Sequence, residues 1–192
     1  MGRVPAGVAW GLLAAWAVHD AEELATMARW TRAARPRLEK RFPQVPWGRL
    51  EVSQAHASVA IGLMGGVVAV ASGLGARTGG RSPVFQAALA GFGVHGVVHL
   101  AQAALVRGYT PGVMTAPLVV IPYSVWAWRR LRRAGVPARG PGAAVAAFPL
   151  VLAGVHALAH ALTGGLERSL APRRRTPGPP GARSPRARSR RP

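Results

Sequence analysis

Five stretches of the chain are apolar over most of their length, and polar, glycine-rich or proline-rich segments separate them. They predict helices over Val4–Trp30, Leu50–Leu74, Val84–Arg107, Val113–Trp128 and Ala143–Leu166. About 20 apolar residues in a helix are enough to cross the hydrocarbon core of a bilayer. The pattern therefore predicts an all-α integral membrane helical bundle with about five transmembrane helices.

The composition agrees with a membrane protein. Of 192 residues, 49% are hydrophobic and only 16% are charged, which is more apolar and less charged than a typical soluble domain. The chain has no cysteine, which excludes disulfides, thiolate metal sites and a cysteine nucleophile. The expected localisation is the cell membrane, with multiple spans and membrane lipids as partners.

Positive charge is concentrated in two places. Seven basic residues follow helix 1, in a segment that Pro36, Pro43 and Pro46 predict to be a loop: Arg29, Arg32, Arg35, Arg37, Lys40, Arg41 and Arg49. A second group lies in an Arg- and Pro-rich tail. We expect a helical membrane domain over residues 1–168 and a disordered tail over residues 169–192.

The net charge of +19 favours contact with anionic lipid over nucleic acid, because the basic residues sit in a loop and a tail beside apolar helices. The positive-inside rule then places the first loop and the tail in the cytoplasm. The basic run Arg129–Arg133 would lie on the opposite side, in conflict with that rule.

The first helix carries a polar motif, His19-Asp20-Ala21-Glu22-Glu23, inside its apolar stretch. Each charged side chain at membrane depth costs about 2.5–3.5 kcal/mol on insertion scales, so such residues usually have a function. His19, Glu22 and Glu23 fall within about 100° of one helix face and can converge on one point. The alternative is a surface helix with a solvated charged face.

Five further histidines lie in later helices. They are His56 in helix 2, His95 and His99 at i, i+4 in helix 3, and His156 and His160 at i, i+4 in helix 5. If all five helices span, these residues and the first motif lie roughly 9–18 Å from the side that carries the first loop. A shared depth predicts a common site, whereas single histidines such as His56 are more often hydrogen-bonded core residues.

Imidazoles and carboxylates are ligands for transition metals. The predicted metal ligands are His19, Glu22, Glu23, His56, His95, His99, His156 and His160. The expected cofactor is a divalent transition metal, with iron and zinc both open. Glu22 and Glu23 are the candidate catalytic residues, and without a metal they could act with His19 as general acid and base.

Three functions fit this site. The first is a membrane-embedded metalloenzyme, an oxidoreductase or hydrolase acting on a lipid-like or hydrophobic small molecule. The second is a transporter or channel for protons or metal ions, and the third is a haem protein with axial histidines. The sequence defines neither the substrate nor the oligomeric state.

Three segments resemble those of the HXXEE family, a group of membrane proteins of uncharacterised function. They are His19-x-x-Glu22-Glu23, then Gly96-Val-Val-His99, and then Tyr109-Thr-Pro111-Gly112-Val-Met-Thr115. The resemblance covers roughly Val8 to Trp128, and we expect it to include helix 5 as well. It implies an integral membrane protein with a polar site, and it implies no reaction.

Overall fold

The computed structural model describes residues 6–47, 52–138 and 141–170. Within this part of the chain the fold is all helical. The elements are α1 (Ala6–Arg41), α2 (Gln54–Arg77), α3 (Pro83–Val106), a π-helical turn (Ala116–Val120), α4 (Ile121–Arg133) and α5 (Pro141–Leu170). Of the predicted disordered tail (residues 169–192), residues 169 and 170 are the last two of α5, and residues 171–192 lie outside the described residues.

Helix α1 is longer than the sequence predicts, because it continues through the basic segment to Arg41. The prediction of a loop from Arg29 to Arg41 is therefore wrong. Alanine, leucine, arginine and lysine are all good helix formers, and Arg35 pairs with Glu39 one turn later at 2.7 Å. Leu38 is buried, so packing compensates for Pro36 inside the helix.

The other helices begin close to their predicted positions. Ser53 caps α2 and Ser82 caps α3, each accepting a hydrogen bond from a backbone N–H three residues later. The predicted helix over Val113–Trp128 is shifted, because residues 111–114 form a turn. The π-helical turn follows, and it contains Pro117, which has no N–H to donate to a regular α-helix.

The core lies between α1, α3 and α4, where Leu12, Phe85, Leu89, Val120 and Leu131 are fully buried. Helices α1 and α2 are antiparallel neighbours. The start of α2 reaches the middle of α1 through a hydrogen bond from Gln54 to the Leu24 carbonyl, and Gly65 lies against Trp16 further along.

Two helices, α2 and α3, are long and apolar enough to cross a membrane. In each, only 28% of the apolar stretch is buried within the protein. The apolar part of α5, Pro149–Gly164, is shorter. The described residues thus support two candidate spans, fewer than the five predicted.

Glycines bring the helices into close contact, and Gly75 of α2 offers a stability test. A β-carbon there would lie 2.5 Å from Cγ of the buried Phe85. We expect Gly75→Ala to destabilise the fold by about 1–3 kcal/mol, since the core must shift. The melting temperature of purified protein would fall by roughly 2–10 °C.

Gly62, in the same helix, is the matched control for this substitution. A β-carbon at Gly62 meets nothing within 4 Å, and alanine has the higher helix propensity. Gly62→Ala should therefore leave the melting temperature unchanged or raise it. Equal melting temperatures for the Gly75→Ala variant and the unmodified protein would contradict the close helix packing.

Candidate metal site

Four of the predicted site residues form a compact group, which we call the His/Glu cluster: His19, Glu23, His95 and His99. One ligand atom from each lies within 4.8 Å of the others. His19 and Glu23 are separated by one turn of α1, and His95 and His99 by one turn of α3, so each helix presents two ligands on one face. His19 is fully buried, and His99 is 5% exposed.

The distances within the His/Glu cluster are close to those in metal sites. The Nε2 atoms of His95 and His99 lie 2.9 Å apart, and Nε2 of His99 lies 3.4 Å from a Glu23 oxygen. In a tetrahedral zinc site with bonds of about 2.0–2.1 Å, ligand atoms are roughly 3.3 Å apart. Small side-chain movements would therefore let these groups share one ion.

Glu22 points away from the His/Glu cluster and holds the segment between α3 and the π-helical turn. Its Oε2 accepts hydrogen bonds from the backbone N–H of Thr115 at 2.9 Å and from the Thr115 hydroxyl at 2.7 Å. Its Oε1 accepts from the Tyr109 hydroxyl at 2.8 Å and from the backbone N–H of Met114 at 3.3 Å. Four donors favour an ionised carboxylate.

Tyr109 keeps its proton in this arrangement. Burial raises the pKa of the Tyr109 phenol, and the adjacent Glu22 carboxylate raises it as well. The phenol therefore acts as a hydrogen-bond donor at neutral pH. The Tyr109 carbonyl accepts a second bond to α1, from the Trp30 indole at 2.6 Å.

Thr115 connects Glu22 to His19 and thereby defines the tautomer of that histidine. The Thr115 hydroxyl has one proton, and it donates that proton to the Glu22 carboxylate, which can only accept. The same oxygen lies 2.7 Å from Nδ1 of His19, so Nδ1–H must be the donor in that bond. This leaves the lone pair on Nε2.

The Nε2 atom of His19 is buried and has no hydrogen-bond partner among the described residues. A buried acceptor without a partner costs about 1–3 kcal/mol. In metal proteins the second ring nitrogen of a ligating histidine is usually hydrogen-bonded in this way, which orients the ligand. His19 thus has the arrangement of a metal ligand.

Gly112 lets the backbone approach two imidazoles closely. Its φ of +81° is in the left-handed region, and an added β-carbon would lie 2.7 Å from His99 Cε1 and 2.8 Å from His19 Cε1. Only glycine can adopt this φ without strain and leave room for both imidazole rings. The sequence indicated this segment only as part of a resemblance, and gave no separate reason to place Gly112 or Thr115 at the site.

The other three histidines lie apart from the His/Glu cluster. Nε2 of His56 lies 2.9 Å from Nδ1 of His156, which links α2 to α5. The His160 ring centroid lies 6.3 Å from that of His56, and His160 is exposed. Apart from Glu22, the predicted ligands therefore form two groups in the structure instead of one centre.

Residues of both groups line a cavity of about 260 Å³. Its wall includes Glu23 and His95 of the His/Glu cluster, His156 of α5, and Asp20. Most of the remaining wall is alanine, valine, leucine, isoleucine and methionine. The His/Glu cluster is thus accessible from an apolar space inside the helix bundle.

The chain matches a known protein family. A family model described as a protein of unknown function with HXXEE motif matches residues 10–127. The chain belongs to the HXXEE family. No curated protein and no solved structure matches this HXXEE protein. The match begins within α1 and ends within α4, and it contains all four residues of the His/Glu cluster.

Proposed function

We propose that this HXXEE protein is a membrane-embedded metalloenzyme with one divalent metal held by His19, Glu23, His95 and His99. The observation that carries the proposal is the His19 arrangement, in which Thr115 and Glu22 present an unpartnered Nε2 lone pair to three other ligand groups. A bound metal would supply Lewis acidity and activate a water molecule.

Exposed apolar side chains favour the membrane. Leu118 and Leu150 are 71% and 75% exposed, and large apolar residues on α2, α3 and α4 also face outward. In water, such surface would cost about 25 cal/mol per Å². Contacts between glycine and large side chains, such as Gly96 with Val120, are also typical of helix packing in membranes.

The cavity favours an enzyme with a hydrophobic substrate over the two alternatives. A path for ions needs polar groups along its length, whereas most of this wall is aliphatic. A haem needs open space between its axial ligands, but the His19, His95 and His99 ring centroids lie only 4.3–5.1 Å apart. A porphyrin therefore cannot use two histidines of the His/Glu cluster as its axial pair.

Whether the site can be catalytic depends on which metal it binds. Three histidines and one glutamate would occupy all four positions of a tetrahedral zinc ion, and a zinc site without an open position is usually structural. Ferrous iron takes further ligands and would keep positions open for a substrate. We therefore expect iron in the active form.

Metal analysis of protein purified in mild detergent tests the proposal. We expect about one equivalent of a divalent metal per chain, lost in His99→Ala because a chelating ligand is removed. His160→Ala is the matched control, because His160 is an exposed histidine outside the His/Glu cluster, and it should retain the metal. Metal content that is unchanged in His99→Ala would refute this site.

A further inference from the structure

The apolar cavity has the shape of a site for a single aliphatic chain. Its wall runs along α1 from Trp16 to Met27, along α2 from Ala57 to Ala71 and along α3 from Val84 to His95. Eleven residues of helix correspond to roughly 16 Å. The cavity is therefore elongated along the bundle axis, which suits an extended chain better than a rounded molecule.

Polar groups lie in one half of this cavity, with Met27 of α1 on one side of them and the longer apolar part of the wall on the other. His95 and His156 are the last residues that α3 and α5 contribute to the wall, and Asp20 and Glu23 lie beside them on α1. Beyond them the wall is apolar, with Trp16 and aliphatic side chains. This polarity matches a molecule with one polar head and one apolar tail.

Asp20 supplies the observation that defines the head group. It is only 6% exposed, and its Oδ2 has no hydrogen-bond partner among the described residues. A hydroxyl head both donates and accepts, so it can pair with Asp20 whether that carboxyl is ionised or protonated, whereas a carboxylate head can pair only with the protonated form. Pairing would remove the penalty of about 1–3 kcal/mol for an unpartnered buried group.

The volume limits the length of the chain. An engineered cavity of about 150 Å³ holds benzene, which corresponds to about 25 Å³ for each heavy atom. By that measure the cavity of about 260 Å³ accepts a molecule of about ten heavy atoms.

We infer that the cavity binds a single-chain primary alcohol of about ten carbons, with its hydroxyl against Asp20 beside the His/Glu cluster. The inference rests on the proposed function, since it names the substrate class of the same site. It adds to that function a binding residue, Asp20, that is outside the ligand set.

The test measures binding of 1-alcohols, from 1-hexanol to 1-hexadecanol, to metal-loaded protein in lipid nanodiscs. A ligand that binds the folded state raises the melting temperature in a concentration-dependent way, which yields an apparent Kd. We expect the tightest binding near 1-decanol and weaker binding of decane, which has no head group to pair with Asp20. Affinity that rises steadily with chain length would indicate partition into lipid and would overturn the inference.

Two sets of variants locate the bound chain. Ala88→Leu narrows the cavity and should shift the preference to shorter alcohols, whereas Ala153→Leu, at an exposed alanine on α5, should not. Asp20→Ala should weaken 1-decanol binding about 3- to 10-fold, and Asp20→Asn should restore it because an amide still forms hydrogen bonds. Unchanged affinity in both Asp20→Ala and Ala88→Leu would overturn the inference.

Different results would refute the metalloenzyme proposal and the alcohol-binding inference. Metal content is measured on every variant, so a metal-free protein that binds 1-decanol would refute the proposed function alone. A protein that retains one metal and shows no saturable alcohol binding would refute the substrate class alone. Retention of metal also shows that each variant has folded.

Discussion

Replacement of Gly112 by alanine is expected to abolish metal binding, although Gly112 has no side chain to act as a ligand. A β-carbon there would overlap the His99 and His19 rings, at 2.7 and 2.8 Å. The φ of +81° adds a backbone penalty of roughly 1–2 kcal/mol for any L-residue. The rings must move apart, and the ligand set loses its common centre.

Metal content and melting temperature of the Gly112→Ala protein measure this effect. Gly108→Ala is the matched control in the same loop, because a β-carbon there comes no nearer than 3.9 Å, to the flexible Arg37 side chain. We expect the control to bind metal normally. A Gly112→Ala protein with full metal content would show that the loop backbone does not determine the imidazole positions.

Removal of the Thr115 hydroxyl is expected to have the second-largest effect. Thr115→Val preserves the shape of the side chain but breaks the link between Glu22 and His19. Nδ1 of His19 then loses its partner, and the ring is free to change tautomer or rotate. Loss of the hydrogen-bond partner of a metal-binding histidine typically weakens metal affinity about 10- to 100-fold.

Competition with a chelator of known affinity gives the metal Kd of the Thr115→Val protein. Thr115→Ser keeps the hydroxyl and should restore most of the affinity. Thr31→Val removes a hydroxyl that bonds only within α1, to the Met27 carbonyl, and should leave the Kd unchanged. Equal affinities for the valine and serine variants at position 115 would contradict the assigned tautomer.

The two adjacent glutamates of the HXXEE motif have different surroundings in the structure. Neighbouring residues on a helix point about 100° apart. A Glu23 oxygen therefore lies 3.4 Å from Nε2 of His99 on α3, while Glu22 accepts four hydrogen bonds from the loop. In our proposal Glu23 binds the metal, and Glu22 positions His19 through Thr115.

Much of the helical fold could be predicted from the sequence. Apolar stretches gave the helices near α2, α3 and α5, since burial and backbone hydrogen bonding follow local pattern. The end of α1 could not be predicted. Pro36 is a strong local signal for a break, but the burial of Ala34 and Leu38 depends on distant residues and outweighs it.

The His/Glu cluster was predicted in part. The i, i+4 spacing of His95 and His99 and the HXXEE motif are local features, and both pairs meet in the structure. The separate position of His56, His156 and His160 was not predictable, because a shared depth along the helices fixes neither their rotation nor their order around the bundle. Helix packing decides both.

The amino-acid sequence alone determined that the chain is helical and that His19, Glu23, His95 and His99 can pair on single helix faces, because helix periodicity is a property of neighbouring residues. Only the tertiary structure decided that Glu22 accepts hydrogen bonds from the loop, that Thr115 contacts His19, and that Gly112 lies against two imidazoles. These roles depend on contacts between residues about 80–100 positions apart, which no local pattern encodes.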